Sequence, residues 1–383
     1  MMGDAAPGPT ERASLGELAV FFLRLGVTAF GGPAAHIAMM ESMLVRERRW
    51  LSREKFLDLL GAANLLPGPT STELAIYIGY QKAGFAGLLL GGGCFILPAA
   101  LLTLALAWAY VRLGSLPPAA GVLYGIKPVI IVVIAEALWH LGRTALKTWL
   151  LALVGLVATA AALLGANPLA ILLAAGAAMV TMRLAQRKRA GPEMFFGCSL
   201  FAGAGASATV GLLPIFLAFA KIGAVVFGSG YVLLAFLRAD LVDNFHWLSE
   251  AQLLDAIAVG QFTPGPVFTT ATFIGYLLAG VPGAIVATLG IFAPAFALVA
   301  ISGPIIPRLR RSPAAGAFLD GINAAALGLI AAVGWQLGRA ALVDVMTVVI
   351  AMVSALLLLR FRVNSAWLVL GGALAGLVTS VAG

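Results

Sequence analysis

The sequence predicts an all-α polytopic membrane protein made of two inverted-topology repeats with broken, re-entrant helices. Three observations predict it: an apolar composition, motifs that return at a fixed spacing, and opposite charge on matched loops. The 383 residues are 61% hydrophobic and 10% charged, with a mean hydropathy of +1.03, far more apolar than an ordinary soluble domain. Apolar stretches recur along the whole length, many close to the roughly 20 residues that cross a bilayer core. Gly, Leu and Ala dominate and no alternating ten-residue pattern appears, so helices rather than a barrel satisfy the backbone.

The opening "MMGDAAPGPTERASLGELAV" carries Asp4, Glu11 and Glu17 and lacks a basic region followed by an apolar core; no cleaved signal peptide is expected. Cys94 and Cys198 both fall in expected spans, where a small thiol packs well, and no disulfide framework is expected. The net charge of +8 resides at helix ends and in loops, as membrane topology requires. It therefore identifies no substrate and gives no reason to expect nucleic acid as a partner.

The duplication is read from matched motifs. Phe30-Gly31-Gly32, Trp50-Leu51-Ser52 and Pro67-Gly68-Pro69 return 197 positions later as Phe227-Gly228-Ser229, Trp247-Leu248-Ser249 and Pro264-Gly265-Pro266. After a one-residue slip, Ile78-Gly79-Tyr80, Pro98 and Gly125-Ile126 return 196 positions later as Ile274-Gly275-Tyr276, Pro294 and Gly321-Ile322. Three regions follow: a first repeat over 1–182, a basic linker with a connecting helix over 183–210, and a second repeat over 211–383.

Orientation follows from charge. Residues 46–55, "RERRWLSREK", hold five basic and two acidic side chains, whereas the matched "RADLVDNFHWLSE" holds one Arg against Asp240, Asp243 and Glu250. Likewise "YVRLGSLPP" has one Arg and its counterpart "PRLRRSP" has three. Basic loops stay cytoplasmic, so matched loops face opposite sides. Odd parity then requires residues 56–80 and 211–237 to enter and return on one side. About nine full spans result, near 84–111, 118–141, 149–165, 167–184, 194–210, 281–303, 315–338, 341–359 and 363–382, with four hairpins between them.

Pro-Gly-Pro inside an apolar run ends one half-helix and starts the next, because proline lacks an amide hydrogen and forces its predecessor out of helical geometry. Unpaired backbone groups at such a break survive only where protein or a water-filled cavity surrounds them. The half-helix that starts near Thr70 then presents free N–H groups and a positive dipole end to an anion. Asn64, Thr70, Ser71 and Thr72 in the first repeat, and Gln261, Thr263, Thr269 and Thr270 in the second, supply hydroxyls and amides around Pro67, Gly68, Pro69, Pro264, Gly265 and Pro266. The other pair of breaks, Phe30-Gly31-Gly32-Pro33 and Phe227-Gly228-Ser229-Gly230-Tyr231, lets backbone approach a ligand closely. Arg24 and Lys221, at matched positions in apolar surroundings, and Lys127, matched to Asn323, are candidate cations. Glu73 is the candidate proton carrier.

Structural readings compete with each of these. Pro-Gly-Pro also reads as a kink, Arg24 and Lys221 as snorkelling side chains, and Glu73 as a charge complementing a helix dipole. Glu136 and His140, one turn apart, read as partners of each other. His36 and Glu41 lack a companion cluster at metal-ligand spacing, so neither a metal nor an enzyme activity is expected.

The pairing of "FGGPAAHIAMM" with "NLLPGPTSTELAIYIGY", repeated as "FGSGYVLLAFL" with "QFTPGPVFTTATFIGY", resembles the chromate ion transporter family in its long, two-repeat form. Phe30, Gly31, Gly32, Pro33, Pro67, Gly68, Pro69 and Tyr80 match the first-half pattern, and Phe227, Gly228, Pro264, Gly265, Pro266 and Tyr276 the second. Ser229 replaces the second glycine, and no proline matches Pro33. The resemblance implies a multi-pass bacterial inner-membrane carrier that exports chromate, driven by the membrane potential or the proton gradient. It also implies sulfate as a competing analogue, a homodimer and no cofactor. A sulfate or other oxyanion uptake carrier and an anion channel remain the alternatives.

Overall fold

The computed structural model describes residues 13–30, 32–113, 117–187, 211–227, 230–302, 306, 312–361 and 363–382. Gly31, Gly228, Ser229, Cys198, Arg308–Arg311, most of the basic linker and the expected span 194–210 lie outside the described residues.

Helices account for both repeats, and the breaks at the two Pro-Gly-Pro stretches fall where proline forbids continuation. In the first repeat α1 (Leu15–Thr28) and α2 (Gly32–Glu41) flank the glycine-rich break, and α2 runs into a π-turn (Ser42–Glu47) before α3 (Arg53–Ala63). Pro-Gly-Pro then separates α3 from α4 (Thr70–Leu113), and α5 (Pro117–Ala145), α6 (Trp149–Leu163) and α7 (Pro168–Arg187) complete the unit. The second repeat follows the same order: α8 (Leu212–Val225), α9 (Val232–Leu237), a π-turn (Arg238–Asn244), α10 (Glu250–Phe262), α11 (Thr270–Ser302), α12 (Pro313–Ala341), α13 (Val345–Phe361) and α14 (Ser365–Ala382).

Matched sequence gives matched detail. Ser14 caps α1 in a capping box with Glu17, which satisfies two orphan amides at once; its side-chain and backbone donation also hold the Glu17 carboxyl below the ordinary range. Ser52 and Ser249, matched residues, cap α3 and α10. Arg49 and His246, also matched, both take left-handed backbone, with φ of 52° and 53°. The amides of Trp50 and Trp247 reach the carbonyls of Leu44 and Leu241, each at 2.8 Å.

Two long helices are hairpins. α4 leaves helical geometry at Ala83 and Gly84, and α11 at Ala279 and Gly280. The limbs fold back so closely that a Cβ on Gly79 would lie 2.1 Å from the carbonyl oxygen of Gly87. At the matched place a Cβ on Gly275 would lie 2.3 Å from that of Gly283. The four hairpins expected from the sequence correspond to α1–α2, α3 with the first limb of α4, α8–α9, and α10 with the first limb of α11. Eight of the nine expected spans fall on described helices. Five helical stretches are long and apolar enough to cross a membrane, Thr70–Leu113, Ala120–Ala145, Pro168–Ala185, Val267–Ser302 and Pro313–Ala341; α6, α8, α13 and most of α14 are shorter apolar helices.

The repeats are interleaved rather than side by side. α5 packs along α14 and α13 of the second repeat, while α12 packs along α7 and α6 of the first, and α4 meets α11 at the centre. Small residues permit this: a Cβ on Gly125 would stand 1.9 Å from the carbonyl oxygen of Gly372, and one on Gly376 2.0 Å from that of Gly121. Two Gly-x-x-x-Gly faces thus bring α5 and α14 to backbone contact, the way helices gain packing energy where lipid offers no hydrophobic drive.

Candidate functional site

Each Pro-Gly-Pro loop docks on the other repeat. The Gly68 amide donates to the Val226 carbonyl at 2.7 Å, and the Gly265 amide donates to the Ala29 carbonyl at 2.8 Å. Ala29 and Val226 are matched residues, the C-caps of α1 and α8. A helix end leaves its last carbonyls without partners, and a glycine amide between two prolines has no helix of its own to join. Each defect satisfies the other across the repeat boundary. Glycine is required: Gly68 and Gly265 have φ of 141° and 89°. Gly68 lies against Ala295 of α11, and Gly265 against Ala99 of α4, again matched residues.

The glycine-rich breaks join the same junction. Gly230 lies beside Pro33 of the first repeat and beside Val267 and Phe268, just past the second Pro-Gly-Pro. Gly32 has φ 75° with nothing near its Cβ position, and Phe30 is exposed.

His36 ties the junction together. Fully buried, it sits 3.1 Å from the Ala29 carbonyl through Nε2 and 3.2 Å from the Ser71 hydroxyl through Nδ1. A carbonyl only accepts, so Nε2 carries hydrogen and Nδ1 of the neutral ring accepts from Ser71. The sequence offered His36 only as a metal ligand without companions. Its actual role depends on a contact across 35 positions that no periodicity announces. Among the described residues no group of three or more His, Cys, Asp or Glu could hold a metal.

Next to this junction are polar atoms without partners. Glu73 is fully buried, its carboxyl packed over Gly68 so that a Cβ there would meet Oε1 at 2.6 Å. Both Glu73 oxygens, the Thr72 hydroxyl and the Gln261 side-chain nitrogen are buried without hydrogen-bond partners. Leaving such groups unpaired is costly. Thr70 and Ser71 are buried at the start of α4, where first-turn amides precede any intrahelical acceptor. In the second repeat the hydroxyls serve the backbone: Thr263 donates to Gly260, Thr269 to Pro266 and Thr270 to Val267. Asn64 lies apart, exposed, on the wall of a cavity of about 310 Å³ shared with Thr144 and Asn323.

The cations stand elsewhere than around the Pro-Gly-Pro loops. Arg24 is on the exposed side of α1. Lys221 forms an ion pair with buried Asp240 at 2.9 Å, which Asn244 also reaches. Lys127 forms one with Asp255 at 2.9 Å, and the Tyr110 hydroxyl donates to the same carboxylate at 2.9 Å. Sequence reasoning singled out neither Asp255 nor Tyr110, although Asp58 and Asp255 hold matched positions 197 apart, a signal that was there to read. Glu136 and His140 approach each other at 3.8 Å, and Cys94 is a half-buried free thiol.

The sequence model of the family described as "Chromate transporter" matches this chain twice, over residues 16–180 and 213–377. A "Chromate transport protein" of Cupriavidus metallidurans is 38% identical over 384 residues, covering 98% of this chain and 95% of that protein. A "Probable chromate transport protein" of Synechococcus elongatus is 37% identical, covering 89% of each. An "Uncharacterized transporter" of Bacillus subtilis is 32% identical over 126 residues, 33% of this chain but 71% of its own length, the size expected of a single repeat. No solved structure matches the chain. With both repeats matched and near-complete relatives at this identity, the chain belongs to the chromate transporter family.

Proposed function

We propose that the protein is a secondary active transporter that exports chromate across the bacterial inner membrane, with the oxyanion bound near the two Pro-Gly-Pro loops. The observation that carries this reading is the reciprocal docking of Gly68 on Val226 and Gly265 on Ala29, beside buried polar atoms that lack partners. When a hairpin moves, a glycine amide leaves its carbonyl. That amide, the first-turn amides of Thr70 and Ser71, the Thr72 hydroxyl and the Gln261 amide then converge on a tetrahedral dianion, as helix N-termini do for anions. The anion competes with a carbonyl for the same donor, which links binding to hairpin movement.

Glu73 sets the sign of coupling. A dianion next to an ionised carboxylate in a low-dielectric site is strongly repelled, so Glu73 holds a proton whenever the anion is bound. Proton and anion travel together, and the loaded site moves one net negative charge outward. The membrane potential, negative inside, drives that movement, while an acid exterior opposes it. The test is chromate uptake into energised everted vesicles, whose lumen is positive and acid. Collapsing the potential with valinomycin and potassium abolishes uptake, and collapsing only the pH difference with nigericin sustains or raises it. The reverse pattern sinks the coupling scheme. Counterflow between labelled chromate and sulfate separates a carrier from a channel and measures sulfate competition.

A further inference from the structure

The two repeats match in sequence but not in posture. α10 packs against α5, α12, α14 and α4, in addition to α11, whereas its mirror α3, among the described helices, packs mainly against α4. The difference is visible residue by residue. Asp255 on α10 is buried and held by Lys127 of α5 and Tyr110 of α4; its mirror Asp58 on α3 is exposed. Lys127 is mirrored by Asn323, and Tyr110 by Ile306, so the residues that hold Asp255 are not repeated at their mirrored positions. Leu337 is fully buried, while its mirror Leu141 lines the 310 Å³ cavity with Asn64, Thr144 and Asn323.

We infer that the protein is captured with one side open: the cavity between α3 and the α5–α12 pair is the oxyanion's route to the Pro-Gly-Pro junction, and the Lys127–Asp255–Tyr110 cluster is the latch that closes the opposite route. This rests on the carrier reading above and specifies which residues bias its two states. The basic segment 46–55 leads into α3 and the acidic segment 238–250 into α10, so the open route faces the cytoplasm, the side from which an exporter loads. The cavity offers the Asn64 and Asn323 carboxamides, neutral donors that pass a dianion without trapping it, while the Thr144 hydroxyl donates to the His140 and Leu141 carbonyls of its own helix. The latch is built from a buried ion pair, which is costly to break by removing one partner, and it joins the repeats, since Tyr110 and Lys127 belong to one and Asp255 to the other. Outward opening requires α10 to leave the position α3 has already left.

The experiment is thiol labelling of the full-length chain in a Cys94→Ser, Cys198→Ser background, using a membrane-impermeant maleimide. Leu141→Cys labels in everted vesicles and Leu337→Cys labels from neither face. Adding Lys127→Asn, which copies the mirror residue, raises Leu337→Cys labelling in spheroplasts by more than about tenfold and lowers that of Leu141→Cys, because a buried pair has lost a partner. The exchange of Lys127→Asp with Asp255→Lys returns both reporters to the parent pattern. Should Lys127→Asn fail to insert, Tyr110→Phe gives a smaller change in the same direction. Unchanged labelling of Leu337→Cys in whichever variant inserts overturns the latch, as does a charge exchange that fails to restore it. Because labelling needs no substrate, the two proposals fail separately. A chain that switches exposure without moving chromate refutes the transport reading, and one that moves chromate with fixed exposure refutes the latch.

Discussion

Substituting Gly265 with alanine tests the reciprocal docking most directly, because a second glycine provides the control. Gly265 has φ 89°, and a Cβ there would stand 2.8 Å from the Ala99 Cβ and 3.2 Å from the Gly26 carbonyl oxygen. Gly280, in the turn of α11, has φ 62° and nothing within 4 Å of its Cβ position. Both substitutions carry the left-handed backbone penalty of about 1–2 kcal/mol. Gly265→Ala adds overpacking of about 1–3 kcal/mol against backbone and a helix that cannot shift freely. Displacing the loop also breaks the amide bond to Ala29, worth about 1 kcal/mol. Gly265→Ala therefore costs about 3–6 kcal/mol and Gly280→Ala about 1–2 kcal/mol. The assay is equilibrium unfolding of both variants in mixed micelles with increasing SDS, followed by far-UV circular dichroism, with chromate counterflow measured in parallel. Gly265→Ala also loses most counterflow, and Gly280→Ala keeps it. Equal destabilisation of the two variants, within about 0.5 kcal/mol, would refute the idea that the loop is held by the opposite repeat.

Other consequences are as specific. Glu73→Gln fixes the site in its uncharged form, so chromate counterflow persists while the pH dependence of net uptake flattens; a retained pH profile would remove Glu73 from coupling. Gly125→Ala places a methyl group 1.9 Å from the Gly372 carbonyl oxygen and separates α5 from α14. Folded yield in detergent falls far more than for Gly371→Ala, which has nothing within 4 Å. Asp344, in the loop between α12 and α13, has its carboxyl held below the ordinary range, first by the Thr347 amide and then by the Tyr124 hydroxyl. A depressed carboxylate contributes stability that is present above its unfolded pKa near 4 and is lost as pH falls through the depressed value. Asp344→Asn accordingly flattens the acid limb of the stability profile below about pH 4 and leaves the profile unchanged at neutral pH apart from a constant offset.

What the sequence made legible and what it withheld divide along a physical line. Helix breaks are local events: proline and glycine act within a few residues of themselves, so Pro67-Gly68-Pro69, its copy, and the hairpin ending before the expected span at 84 could be read directly. Charge asymmetry between matched loops is equally local. The partner of a glycine amide is not, and nothing near Gly68 names Val226. The same gap affected the cations. Lys127 and Lys221 read as free charges at membrane depth because Asp255 lies in the other repeat and Asp240 nineteen positions away. Burying a cation is tolerable once a carboxylate is brought to it, and only packing brings it. Arg24, which pairs with no carboxylate among the described residues, stays on the exposed face of α1.

The junction also explains why two hairpins on opposite sides of the chain can act as one device. The Ala29 carbonyl accepts from the Gly265 amide and from His36 together, and His36 in turn holds the Ser71 hydroxyl, two residues before Glu73. A movement of α10 that releases Asp255 pulls the second Pro-Gly-Pro loop. It thereby removes one of two donors from Ala29 and alters the demand on His36, which contacts Ser71 at the start of the half-helix that carries Glu73. The path runs through hydrogen bonds linking Gly265 to Ala29, Ala29 to His36 and His36 to Ser71, a contiguous set of contacts of the kind that can carry coupling between sites. It is also one-sided. Leu233 stands where a second His36 would be, so no histidine relay at the Val226 carbonyl is found among the described residues. With Leu233 at the mirror of His36 and Asn323 at the mirror of Lys127, the inverted pair is unequal, and that inequality sets which of two conformations is preferred at rest, while the gradient across the membrane sets the direction of net movement.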